Sequence, residues 1–165
     1  MGKEDGFAGK AAVFLTKFFA IYAVLQLLIL FAPLGPLKEF IASVEAGLLG
    51  AEAYGSLVIL GGHRFEIVAN CTGLMGISVL AAIIFSLRQP ETRKKLALVG
   101  AGTLVLFPLN IVRVYFVLLA ATAFGAEIAE ALHVVSWFGV SAAILLLWYY
   151  LTKRVSGKDS FAKML

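Results

Sequence analysis

The sequence predicts an all-α, polytopic integral membrane protein. The expected architecture is a bundle of four transmembrane helices with an outward-facing amphipathic helix and a short β-hairpin. Three observations carry this expectation. Of 165 residues, 61% are hydrophobic and only 15% charged, where ordinary soluble domains have roughly 45–50% and about 25%. A soluble fold of this size has too little interior to hide that much apolar surface. The apolar residues gather into long runs, and the basic residues gather in alternate connections between them.

A spanning helix needs about 20 mostly apolar residues. The first candidate, 11–32, has Lys17 near its start and is closed by Pro33 and Pro36. It exceeds a signal-peptide core and no clear small-residue cleavage site follows it, so it is expected to be retained. The second, 72–87, is short. The third, 96–123, contains Pro108 and one charge, Arg113. The fourth is 134–151. The whole chain, 1–165, reads as one membrane domain.

Orientation follows from Lys and Arg in the short loops. Lys3 and Lys10 lie in the N-terminal tail. Arg88, Arg93, Lys94 and Lys95 lie between the second and third spans, and Lys153, Arg154, Lys158 and Lys163 at the C-terminus. With four spans, these three regions share one side. Both termini are therefore expected in the cytoplasm of a plasma-membrane protein, with 33–70 and 124–132 facing outward. In the outer segment, 37–54 has apolar residues at near-helical spacing, which predicts an amphipathic surface helix. Ser56–Leu60, Gly61-Gly62 and the alternating His63–Val68 predict a hairpin with a two-residue turn.

Composition also excludes functions. The net charge of +4 reflects basic clusters beside apolar runs, not one basic face for nucleic acid. Cys71 is the only cysteine, so no disulfide framework exists within the chain, and no Cys/His spacing suggests zinc. No metal or organic cofactor is expected.

Three residues suit an acyl-transfer site. Cys71 opens the second span and is either a small apolar packing residue or a nucleophile. Arg113 lies deep in the third span, where insertion costs about 2.5–3.5 kcal/mol, so a functional role is the default. His133 stands at the start of the fourth span. A thiolate can attack a peptide carbonyl to give a thioester. An arginine can stabilise the developing oxyanion, and a histidine can carry a proton near neutral pH. Asn70 and Asn110 can orient the cysteine or the arginine. Gly73 permits close helix packing.

The residues Asn70-Cys71-Thr72-Gly73-Leu74, then Asn110-Ile111-Val112-Arg113, then His133 resemble the exosortase/archaeosortase family of membrane cysteine transpeptidases. That family's pattern is a Cys-small-Gly motif opening a helix, Asn-x-x-Arg in the next, and His or Arg opening the one after. The resemblance covers roughly residues 67–137. Family members are usually longer, and the residue after the cysteine is often Ser where Thr72 stands. The resemblance implies a nucleophilic Cys71, Arg113 as proton donor or leaving-group partner, and His133 as transition-state stabiliser. The residue chemistry leaves the last two roles exchangeable. It implies as substrates exported proteins ending in a recognition motif, a hydrophobic helix and a basic tail. These are cleaved on the outer face and passed to an acceptor, a membrane lipid in some members. The competing expectations are a non-enzymatic membrane scaffold or transporter subunit, and a membrane cysteine protease that hydrolyses without transfer.

Overall fold

The computed structural model describes residues 2–156; Lys158 and Lys163 of the basic C-terminal tail lie outside them. These residues form five α-helices and a small sheet in the order α1 (Gly2–Phe31), α2 (Gly35–Leu49), β1 (Glu52–Tyr54), β2 (Leu57–Leu60), β3 (His63–Glu66), a 3-10 turn (Ala69–Thr72), α3 (Leu74–Ser86), α4 (Thr92–Phe124) and α5 (Ala126–Ser156). The protein is an all-α membrane protein with a minor β element. Among the described residues, three helices are long and apolar enough to cross a membrane: Ala8–Phe31, Thr92–Phe124 and Glu127–Arg154.

The expected second span, 72–87, forms as α3 at nearly the same residues. Apolar α3 has 13 residues, about 20 Å at 1.5 Å per residue, short of the roughly 30 Å hydrocarbon core. Its two ends show why. At the start, Asn110 Nδ2 donates to the Cys71 carbonyl. At the far end, Lys95 Nζ donates to the carbonyls of Leu87 and Phe85. Asn110 and Lys95 are separated along α4 by about 22 Å of helix, so α3 runs beside only the first two-thirds of α4. The final carbonyls of α3, which have no partner within the helix, receive the Lys95 ammonium.

The level above α3 is filled by α2 and the sheet. Ile41, Ala42 and Ala46 of α2, Val58 of β2, and Ile67 form one core with Val114 and Leu118 from the last third of α4, and Cys71 packs against it. The helix predicted over 37–54 ends earlier. Gly50 caps it in the left-handed region, and the next residues turn into β1. The expected hairpin forms. β2 and β3 pair antiparallel with Leu60 opposite His63, and Gly61 and Gly62 both take positive φ, as a tight two-residue hairpin turn requires. β1 joins the other side of β2, giving the order β1-β2-β3.

A second core joins α3, α4 and α5 through Leu80, Ile84, Leu98, Leu106 and Ile144. Helix α1 packs along α3, and Gln26 Nε2 donates to Ser78 Oγ at 2.8 Å. Pro108 stands inside α4 without ending it. The predicted outer connection 124–132 is reduced to Gly125, because the Ala- and Glu-containing stretch that follows extends α5 back to Ala126. His133 therefore lies about two turns into α5, not at its start.

Candidate active site

The site is built where the 3-10 turn meets α4 and α5. Val68 enters the turn extended, and the Cys71 N–H donates to the Val68 carbonyl at 2.9 Å. Thr72 is fully buried. Its hydroxyl donates to the Ala69 carbonyl at 2.7 Å and accepts the Leu74 N–H at 3.4 Å. The threonine thus closes the turn and starts α3. Gly73 then adopts φ +77°, and a β-carbon there would lie 3.1 Å from Asn110 Cβ and Cγ. Backbone conformation and space both require glycine at this position.

Asn110 takes the room that Gly73 leaves. Its Nδ2 donates to the Cys71 carbonyl at 2.6 Å, and its Oδ1 accepts from Arg113 Nη1 at 3.2 Å. One amide therefore links the cysteine backbone to the arginine. Asn110 and Arg113 are three residues apart on α4 and face the same way.

Arg113 is 7% exposed. Its Nε donates to Ser136 Oγ at 2.8 Å, and its Nη2 lies 3.2 Å and 3.3 Å from the two ring nitrogens of His133. The Trp137 ring lies 4.5 Å beneath the guanidinium carbon, a distance at which a cation is attracted to an indole face. Ser136 Oγ donates onward to the His133 carbonyl at 2.7 Å. All these hydrogen-bond partners are neutral side chains apart from the titratable imidazole, which accepts from a guanidinium only through an unprotonated nitrogen. Among the described residues, no carboxylate is hydrogen-bonded to the guanidinium.

Cys71, Arg113 and His133 line one cavity of about 310 Å³, together with Arg64–Val68, Val114, Val117 and Leu118. Arg113 and His133 lie roughly 16 Å and 10 Å along their helices from the α4–α5 turn, so the antiparallel pair brings them to similar levels. Burial pushes the half-buried Cys71 thiol above its usual value. A backbone hydrogen bond at Val68 and the Arg113 charge oppose that rise, and Glu45 adds to it. Glu45 itself is fully buried on α2, with neither carboxylate oxygen hydrogen-bonded. Desolvation raises its pKa from 4.5 to about 7.

Of the residues singled out from sequence, the structure brings Cys71, Gly73, Asn110, Arg113 and His133 together. Asn70 is not among them. It is exposed and borders clefts with Tyr22 and Gln26 of α1, because successive residues of a 3-10 turn point in different directions. Sequence reading missed Ser136, Glu45 and the place of Trp137. For Ser136 and Trp137 the signal was available: they follow His133 by three and four residues, the helical spacing of one face.

No curated protein and no solved structure was found to match the chain. A family model described as transmembrane exosortase matches residues 6–149. With most of the chain covered, and with the cysteine, arginine and histidine bordering one cavity, this protein belongs to the transmembrane exosortase family.

Proposed function

We propose that the chain is a membrane cysteine transpeptidase in which Cys71 is the nucleophile, Arg113 the oxyanion and leaving-group partner, and His133 the proton carrier. The observation that carries this reading is the continuous chain from the Cys71 carbonyl through Asn110 to Arg113 and His133 around a single cavity.

The steps follow from these groups. The Cys71 thiol gives its proton to neutral His133, whose one basic nitrogen leaves its hydrogen bond with Arg113 to accept it, as the sulfur attacks the scissile carbonyl carbon. The carbonyl π bond opens to an oxyanion beside the Arg113 guanidinium. Fixed donors of this kind contribute about 10²–10³ in rate. Collapse of the intermediate breaks the carbon–nitrogen bond. The leaving amine takes the proton from His133, and the acyl group remains on Cys71 as a thioester. An acceptor nucleophile then attacks that thioester, loses its proton, and returns the thiol. With water as acceptor the same sequence is hydrolysis.

Substrates on this reading are exported proteins with a C-terminal motif, a hydrophobic helix and a basic tail, and the acceptor is a membrane lipid. The cavity faces outward. Lys10, Lys17 and Arg88 border a common cleft at the opposite end of the bundle, next to Lys95, and Lys and Arg favour the cytoplasmic side. Glu127 and Glu130 stand at the cavity end, exposed.

The test is processing of a co-expressed substrate. Cys71→Ala, Arg113→Ala and His133→Ala are each expected to leave it uncleaved while the protein accumulates in the membrane. Processing by Cys71→Ala at the wild-type rate sinks the reading. The mass of the product's new C-terminus reports transfer, as an added lipid, or hydrolysis, as a free carboxylate.

A further inference from the structure

Strand β3 is an edge. The sheet order is β1-β2-β3, so β3 is paired only on its β2 side. Which backbone groups remain free follows from one hydrogen bond. Ile67 N–H donates to the Ser56 carbonyl at 2.8 Å. In an antiparallel ladder, N–H and C=O point to the same neighbour at alternate residues. His63, Phe65 and Ile67 therefore turn theirs toward β2, and Arg64 and Glu66 turn theirs away. Among the described residues, no backbone hydrogen bond claims these outward groups.

The free edge borders the cavity that holds the thiol. A cavity against one face of a strand is lined by alternate residues, because side chains alternate in direction. This cavity is lined by five consecutive residues, Arg64 to Val68, so it runs along the edge of the backbone. Its opposite wall is Arg113, Val114, Val117 and Leu118 of α4, with His133 of α5. The strand leads directly into the turn carrying Cys71. An exposed edge with unpaired donors and acceptors is a template for another strand. The volume of about 310 Å³ is at the small end of ligand pockets, which span roughly 300–1,000 Å³.

We infer that the substrate's segment around the scissile bond docks as an extended strand on the free edge of β3, held by the main-chain groups of Arg64 and Glu66 and thereby presented to Cys71. This rests on the transpeptidase reading and names how its peptide is gripped. Binding by strand addition draws affinity from main-chain hydrogen bonds and selectivity from pockets for alternate side chains. The guest is a polypeptide in β conformation. Pairing with two edge positions engages about three of its residues. Its side chains on one face meet Val117 and Leu118, and those on the other meet solvent and the charged Arg64 and Glu66.

The experiment removes the outward donors. Proline is compatible with an edge position whose N–H faces away from the sheet, so Arg64→Pro and Glu66→Pro are expected to fold. Each should lower processing of a co-expressed substrate by about tenfold, the effect of losing one well-made hydrogen bond in a dry site. Arg64→Ala and Glu66→Ala keep the main-chain groups and should lose clearly less processing than the proline variants at the same positions. Wild-type processing by both proline variants overturns the inference, as does an equal loss in the alanine variants, which would mean side-chain recognition. Neither result touches the transpeptidase reading, which fails only if Cys71→Ala still processes. A second measurement needs no change in β3. In Cys71→Ala protein, bound substrate should slow hydrogen exchange at the Arg64 and Glu66 amides and leave His63 and Phe65 unchanged. Unaltered exchange at Arg64 and Glu66 in the saturated complex also overturns it.

Discussion

One added methyl group at Gly73 is expected to disable the site without touching a reacting atom. Gly73→Ala forces a side chain into positive φ and against Asn110. A strained residue of this kind costs about 1–3 kcal/mol, and misplacement by about 1 Å can lower rates about 100-fold. Processing should fall by that order while the protein still accumulates. Asn110→Ala leaves the Cys71 carbonyl and one guanidinium donor without their partners, so a comparable loss of processing is expected. Arg113→Lys keeps the charge but not the planar donors that reach Ser136, Asn110 and His133 together. It should behave as a loss of about a hundredfold or more, not as a conservative change. Glu45 gives a prediction in stability. Its carboxyl keeps a proton up to about pH 7 in the folded protein and releases it near 4.5 when exposed. The folded state therefore holds the extra proton between those values, and stability falls as pH rises from 4.5 through about 7. The full penalty, roughly 3 kcal/mol, is present above pH 7. In detergent, wild-type thermal stability relative to Glu45→Gln should drop between pH 5 and pH 8. A constant difference would contradict the assignment. At this scale the sequence was informative where a residue is costly in its setting, as with Arg113, and silent on Glu45, whose burial depends on which face of α2 meets the sheet.

The elements explain how short motifs become one site. Hydropathy located the three long helices closely, because about 20 apolar residues in a row have few other fates. The short second span expected over 72–87 is α3, Leu74–Ser86. Here α2 and the sheet occupy the upper third of α4 through Ile41, Ala46, Val58 and Ile67, so α3 starts level with Asn110. The hairpin was legible from Gly61-Gly62 and the alternation after it. The third strand was not, since Glu52–Tyr54 continues an apolar spacing that fits a helix until Gly50 stops it. The start of α5 was missed for a related reason. Glu127 and Glu130 lower hydropathy without lowering helix propensity. A consequence for α3 follows from its far end. Lys95→Met removes the ammonium that meets the Leu87 and Phe85 carbonyls. A buried carbonyl left without a donor costs about 1–3 kcal/mol, so the variant should unfold at lower temperature in detergent than Arg93→Met, whose side chain is exposed.

For the whole molecule, the arrangement separates two tasks. α1, α4 and α5 have the length and apolarity to hold the chain in a membrane, whereas β3 and the turn carrying Cys71 wall a chamber against α4 and α5. A full-length α3 would close the level that the sheet and Cys71 now occupy. The chamber borders a guanidinium, an imidazole and the thiol, which are the groups an acyl transfer needs. On the proposed mechanism, substrate passes through a thioester on Cys71. Hydroxylamine attacks thioesters in preference to amides, so it tests the claim directly when added to cells co-expressing the protein and a substrate. Substrate released with a C-terminal hydroxamate is expected from the wild type and none from Cys71→Ala. A hydroxamate product that persists in Cys71→Ala, or wild-type cleavage that hydroxylamine never intercepts, would contradict the thioester step.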